Sequence, residues 1–207
     1  MHETMMTGER IGVVDPRPEW ADEGADWAVR VAEAFGAEAL RVDHIGSTAV
    51  PDLPAKDVID IQATVFRLQP AKEIAGLLTA AGFRQVGGMH EEAEVEDYEP
   101  IEEVPVWRKL LFKAPEDERA VTVHVRRNGA VNARLALLLR DYLRDDERAR
   151  ADYGRFKLAM NEIIDDPGEY DALKAPFLAM TMRAAEGWAE LTRWVPGAPD
   201  AYWRGAE

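Results

Sequence analysis

The chain reads as an α+β domain: a small mixed β-sheet flanked by helices, with a helical C-terminal half. Three observations predict it. Two β-branched apolar runs, Ala39 to Ile45 and Val58 to Val65, have strand character. Amphipathic segments of helical period, Trp20 to Phe35 and Pro70 to Ala81, flank them. From Asn132 onward the pattern is helical almost to the end, with no strand signal. Strands and helices mixed in one half, and helices alone in the other, suit a single sheet covered by helices.

In chain order, Val13 to Trp20 carries Pro16 and Pro18 and reads as an extended lead-in that stops where a helix starts. Trp20, Trp27, Val29, Val31, Ala32 and Phe35 give the first helix its apolar residues, and Gly36 ends it. Val58 to Val65 is apolar except for polar interruptions at Asp60 and Gln62. Gly82 closes the helix that starts at Pro70, and Phe83 to Val86 is a short strand. Gly87 to Val104 holds Glu91, Glu92, Glu94, Glu96, Asp97, Glu99, Glu102 and Glu103; like charges repel, so a mobile loop is expected. Val106 to Lys113 and Arg119 to Arg126 form a hairpin across Ala114 to Glu118. Helices follow at Asn132 to Arg144, Asp146 to Ile164 and Tyr170 to Leu191, the last two broken by Asp166-Pro167-Gly168. The expected organisation is a flexible stretch at 1–10, one domain over 11–193 and a loose tail at 194–207, with Trp194, Tyr202 and Trp203 able to dock on the body. Trp27, Phe35, Phe156 and Phe177 lie on apolar helix faces and are expected in the core.

Composition narrows the chemistry. With no cysteine, disulfides, thiolate zinc, iron–sulfur clusters and cysteine nucleophiles are excluded, which suits a reducing cytoplasm. The formal charge is −14, from 39 acidic and 25 basic residues, so long-range repulsion opposes nucleic acid and anionic lipid. No run of the sequence is long and apolar enough for a membrane span, and Met1 to Arg10 lacks the apolar core of a signal peptide. A cytoplasmic location is expected, with no membrane partner.

The most informative stretch runs from His44 to Ile61. A Gly46-Ser47 pair after a strand can offer backbone N–H groups and a hydroxyl to a phosphate, with Thr48 beside it. Asp60 on the next strand points away from Ile59 and Ile61 and can hold a divalent metal such as Mg²⁺. Lys56, before that strand, can pair with a phosphate. The plain alternative makes Gly46 a turn glycine, Ser47 a cap and Asp60 a salt-bridged carboxylate. His44 is either an acid–base or phosphate group, or a strand-end histidine bonded to backbone. His124 shares a strand face with Thr122 and Arg126, which lines a cleft or faces water. Arg108, Lys109 and Lys113 can serve an anion or simply face solvent. Tyr170 and Lys174 are four apart, hence on one helix face.

His44-Ile-Gly-Ser-Thr-Ala-Val-Pro51 followed by Ala55-Lys-Asp-Val-Ile-Asp-Ile61 resembles the signature of the GrpB family. Ile11 to Trp20, Val123-His124-Val125, Arg140 to Arg144 and Tyr170 to Phe177 extend the resemblance over about residues 11 to 180. It implies a nucleotidyltransferase-like fold, and relatives found alone or fused to dephospho-CoA kinase. It also implies a site built from Asp60 and His124 as catalytic groups, with Asp60 as Mg²⁺ ligand. His44, Gly46, Ser47, Thr48, Lys56, Arg108 and Lys174 would serve a nucleotide or another phosphorylated small molecule. Gln62 stands where that superfamily carries its second carboxylate, and Thr122 or His124 where it carries its third. Asp52 and Asp57 depart from the family's glycine and proline. Two functions follow: a Mg²⁺-dependent nucleotidyltransferase, or a non-catalytic binding module with a degenerate metal site. A third is an acidic-loop surface for a basic partner.

Overall fold

The computed structural model describes residues 12–91 and 108–202. Among these residues eight strands and five α-helices are formed: β1 Val13–Val14, α1 Glu19–Phe35, β2 Ala39–Ile45, β3 Ala55–Lys56, β4 Ile59–Val65, α2 Ala71–Ala80, β5 Arg84–Gln85, β6 His90–Glu91, β7 Arg108–Lys113, β8 Val121–Arg127, α3 Val131–Asp145, α4 Glu147–Ile163 and α5 Pro167–Thr192. β1 pairs with β3, and the remaining strands form one sheet in the order β2-β4-β8-β7-β5, with β6 also on β7. β4 and β8 are parallel; the other pairs are antiparallel.

Side-chain alternation gives this sheet two unlike faces. Ile59, Ile61, Ala63 and Val65 of β4, Val121, Val123 and Val125 of β8, and Leu110 and Phe112 of β7 point to one side. They pack with Trp20, Trp27, Ala28, Val31 and Phe35 of α1 and Ile74 and Leu78 of α2. Asp60, Gln62 and Thr64 of β4, with Thr122, His124 and Arg126 of β8, point to the other. The C-terminal helices cover that polar side. They share a second core of Leu135, Leu138, Tyr142, Leu143, Tyr153, Met182, Ala185 and Ala189, to which Val50 and Leu53 contribute.

Helix boundaries follow local chemistry. The Asp146 carboxylate accepts from the N–H groups of Arg148 and Ala149 and caps α4. Asp166 does the same for α5 through Glu169 N–H, with Pro167 at the first position. The Asp-Pro-Gly break therefore lies at the start of α5, which begins before the expected Tyr170.

Two expectations change. Within the acidic stretch, His90 and Glu91 are strand, paired with Lys109 and Arg108; residues 92–104 lie outside the described residues. The tail up to Tyr202 is fastened. Ala201 exchanges two backbone hydrogen bonds with Val42, at 2.9 and 3.0 Å, and occupies the open edge of β2. Asp200 accepts from the His44 N–H at 2.8 Å and from Arg140 at 3.3 Å, and the Trp194 indole donates to Asp141. Tyr202 is half exposed. Of the four predicted core aromatics, Trp27 and Phe35 are buried, while Phe156 and Phe177 stack at 4.1 Å against the second core. No helix among the described residues is long and apolar enough to cross a membrane.

Candidate functional site

The site forms where the polar face of the sheet meets α4 and α5. Asp60 on β4 lies level with Thr122 on β8, and Thr122 is level with Lys113 on β7. These residues, with Ser47, Thr48, Lys56, Lys157, Tyr170 and Lys174, line a cavity of about 250 Å³.

Gly46 has φ +73°, a conformation side chains rarely adopt, and a Cβ there would lie 2.7 Å from Asp60 Oδ2. The glycine lets the turn ride directly over the carboxylate. Ser47 opens a short 3₁₀ turn, Ser47–Ala49, at the cavity. Asp60 Oδ1 accepts from His124 Nε2 at 3.2 Å, a diagonal contact between parallel strands. Burial pushes His124 below the ordinary histidine range, against the attraction of Asp60. With Asp60 as acceptor the ring proton sits on Nε2, and the buried Nδ1 has no partner among the described residues.

Four lysines face this single carboxylate. Lys113 donates to Thr122 Oγ1 at 2.6 Å. The Lys56 ammonium lies 4.8 Å over the Tyr170 ring. Lys174 follows Tyr170 by one turn of α5, on the one face their spacing predicts, and both line the cavity. Lys157 on α4 is 3% exposed and packs on the Tyr153 ring at 5.4 Å. Burial lowers its pKa to about 7, with Lys174 and Lys56 repelling the charge and Asp60 favouring it. Burial also lowers Lys174, which Asp171 opposes.

Of the residues expected at the site, Ser47, Thr48, Lys56, Asp60 and Lys174 line the cavity, Gly46 shapes it and His124 braces Asp60. His44 and Arg108 do not reach it. His44 pairs with Ile61 and shares its face, beneath α1. Its ring fills the space that Gly24 leaves open, where a Cβ would lie 2.0 Å from Nδ1. Burial holds its pKa near 4, so the neutral ring meets Thr48 Oγ1 at 2.9 Å. It fixes the turn and touches no ligand space. Arg108 shares a face of β7 with Leu110 and Phe112 and lies five residues from Lys113, roughly 16 Å along the strand. Lys113 supplies the cation at the site instead.

Lys157 is the site residue that sequence pattern alone does not single out. Its signal is a charged residue on the buried face of α4, in line with Tyr153 and Met160.

Gln62 is fully buried. Its amide donates to the Ala133 carbonyl at 3.1 Å, and its oxygen accepts from Arg126 at 2.7 Å. It ties β4 to α3 and β8 and is not aimed at the cavity. Among the described residues no three His, Cys, Asp or Glu side chains gather as metal ligands. The donor set does not fit a resident two-metal centre: one carboxylate, four ammonium groups and a committed glutamine. It fits only a Mg²⁺ that arrives with phosphates and takes Asp60 as its single carboxylate. Asp52 has φ +61°, where the resemblance places glycine; aspartate is among the few side chains that tolerate it.

Fold and site together define a mixed-sheet α+β domain with a cationic cavity at a Gly-Ser turn. A solved structure of this architecture is GrpB from Enterococcus faecalis, 21% identical, with a TM-score of 0.64, covering 85% of this chain and 99% of that one. The GrpB protein family model matches residues 10–184, and the chain belongs to the GrpB family. A UPF0157 protein of Streptomyces coelicolor is 34% identical over 84% of each chain. A dephospho-CoA kinase of Mycolicibacterium paratuberculosis is 37% identical over 90% of this chain and 48% of its own length. One of Mycobacterium tuberculosis is 35% identical over 89% and 48%. The chain thus spans about half the length of these kinase relatives.

Proposed function

We propose that the lysine-lined cavity binds the phosphates of a nucleotide or another phosphorylated small molecule, and that binding, not turnover, is its primary role. One observation carries this reading. Lys157 is 3% exposed and lines a cavity with three more lysines and one carboxylate. Four amines gathered round one carboxylate, one of them on a buried side chain, are costly to hold charged unless an anion joins them. A concentrated cationic cavity in a chain of net charge −14 has the same sense.

Each group has a part in this reading. Lys56, Lys113 and Lys174 meet phosphate oxygens as point charges. Gly46 allows close approach of the backbone, and Ser47 offers its hydroxyl. His124 holds Asp60 in place. Lys157 takes up a proton as the anion enters, since a nearby negative charge raises its pKa. Nucleotidyl transfer with Mg²⁺ is the second reading, favoured by Asp60 directly under the Gly46 turn. The single carboxylate weighs against it. A non-catalytic module also suits a domain whose relatives include longer chains named dephospho-CoA kinase.

Thermal unfolding of the protein with ATP, GTP, CTP, UTP and coenzyme A precursors, each with and without Mg²⁺, tests this. A ligand at a hundred times its dissociation constant adds about 2.7 kcal/mol, hence a rise in Tm of roughly 5–10 °C. The expected result is a shift without Mg²⁺ that is absent in Lys157→Met. A flat panel overturns the phosphate reading. A shift that requires Mg²⁺ and is lost in Asp60→Ala favours transfer.

A further inference from the structure

A ligand with a phosphate end has another end, and the lysine-lined cavity is small for both. Its volume of about 250 Å³ is below the roughly 300–1,000 Å³ of whole small-molecule sites. A second, larger cavity of about 420 Å³ shares the Ser47–Ala49 turn with the first, and Thr48 lines both.

The second cavity differs in kind. Its walls are Pro16, Pro18 and Trp20 from the start of the domain, Ala49 at the end of the turn, and Val50 and Pro51 after it. Arg17 and Asp52 add polar groups. The walls are stiff. Proline fixes φ at three positions. The Trp20 indole donates to Asp57 Oδ1 at 2.8 Å, and Arg17 donates to the other oxygen at 2.7 Å. Thr48, the shared wall, is held between His44 Nε2 at 2.9 Å and the Val58 carbonyl at 3.3 Å. A preformed, mainly apolar cavity with a few fixed polar groups suits a ring system.

We infer that this second cavity seats the ring-bearing body of the same ligand whose phosphates lie among the lysines, so that the ligand is a phosphate ester of a nucleobase-sized ring system spanning Thr48. The inference rests on the phosphate reading and adds to it a second subsite and a two-part ligand. It also makes the buried His44 a positioning residue, one that sets the Thr48 wall between the subsites.

The test compares inorganic triphosphate with ATP, GTP, CTP and UTP by titration calorimetry on the whole chain. Wild type is compared with Ala21→Trp, which fills the second cavity from an exposed position on the first turn of α1. Pro51→Trp fills it from the opposite wall, also from an exposed position. Thermal melting checks that each variant is folded. At least one nucleotide is expected to bind ten times more tightly than triphosphate. Each variant should lower that nucleotide's affinity to the triphosphate level and leave triphosphate binding unchanged. Equal affinity for triphosphate and every nucleotide in wild type overturns the inference and leaves the phosphate reading standing. A nucleotide advantage that survives in both filled variants also overturns it. No binding of triphosphate or any nucleotide overturns the phosphate reading, and this inference with it.

Discussion

The two faces of the central sheet are built from the same strands and do opposite work. On one face Ile61 is fully buried among apolar neighbours of α1. On the other, one residue away, Gln62 is just as buried but holds Arg126 and the Ala133 carbonyl by hydrogen bonds. The first face is stabilised by area and tight packing, which need no partners. The second is stabilised only while every polar group finds one. Where cations outnumber the carboxylate they face, at Asp60 and the four lysines, a cavity remains. What marks the site is its charge imbalance, four lysines around one carboxylate.

Substitutions can break or sharpen this contrast. The largest loss is expected from Ile61→Ala, about 2–5 kcal/mol in urea unfolding, since a cavity opens in a closed core. A loss below about 1 kcal/mol would mean the apolar face is less tightly packed than its burial indicates.

Lys157 should behave in the opposite way. The unfolded chain holds its proton up to the ordinary 10.5, the folded chain only up to about 7. Between those values unfolding takes up a proton, so stability without ligand should rise as pH rises. Lys157→Met should flatten that part of the profile and match or exceed wild-type stability, while ligand affinity falls by about 10- to 100-fold. Denaturant midpoints across pH 6.5 to 10.5 check the first part, and calorimetry the second.

Gln62→Asp comes next. Were Gln62 a lost metal ligand, aspartate would strengthen Mg²⁺ binding. The structure gives a different outcome: a shorter, charged side chain loses its donor to Ala133, with about 1–3 kcal/mol of destabilisation and unchanged Mg²⁺ binding by calorimetry. The smallest effect is expected at the fastened tail. Asp200→Ala removes the acceptor of His44 N–H and Arg140 and should cost about 1 kcal/mol. Amide exchange at Val42 and His44 should quicken, showing whether the tail guards the β2 edge.

Part of the site is legible in the sequence, and part becomes so only with its neighbours in place. Strand alternation puts His44 with Ile61 once the β2–β4 pairing is known, and it puts Arg108 with Leu110 and Phe112 on local period alone. Lys157 stands on the buried face of its helix, but a lone lysine in a helical pattern reads as a solvent residue until the helix has a neighbour. The tail reads as loose because Pro196 and Pro199 suppress regular structure; that Ala201 pairs with Val42 depends on an edge strand more than 150 residues earlier.

The sequence by itself determined the longer strands and the helices, the two-faced character of β4 and β8, and a glycine turn at Gly46-Ser47. Those are local properties, written in alternation, helical period, caps and turn glycines; that Gly46 rides over Asp60 follows from the β2–β4 pairing. Only the tertiary structure decided that the polar face would be roofed by α3, α4 and α5. It also decided that Gln62 would become a strut, and that Lys56, Lys113, Lys157 and Lys174 would converge from four separate elements. Like charges do not gather through local preference. Packing of the apolar helix faces forces them together and leaves them short of counter-charge.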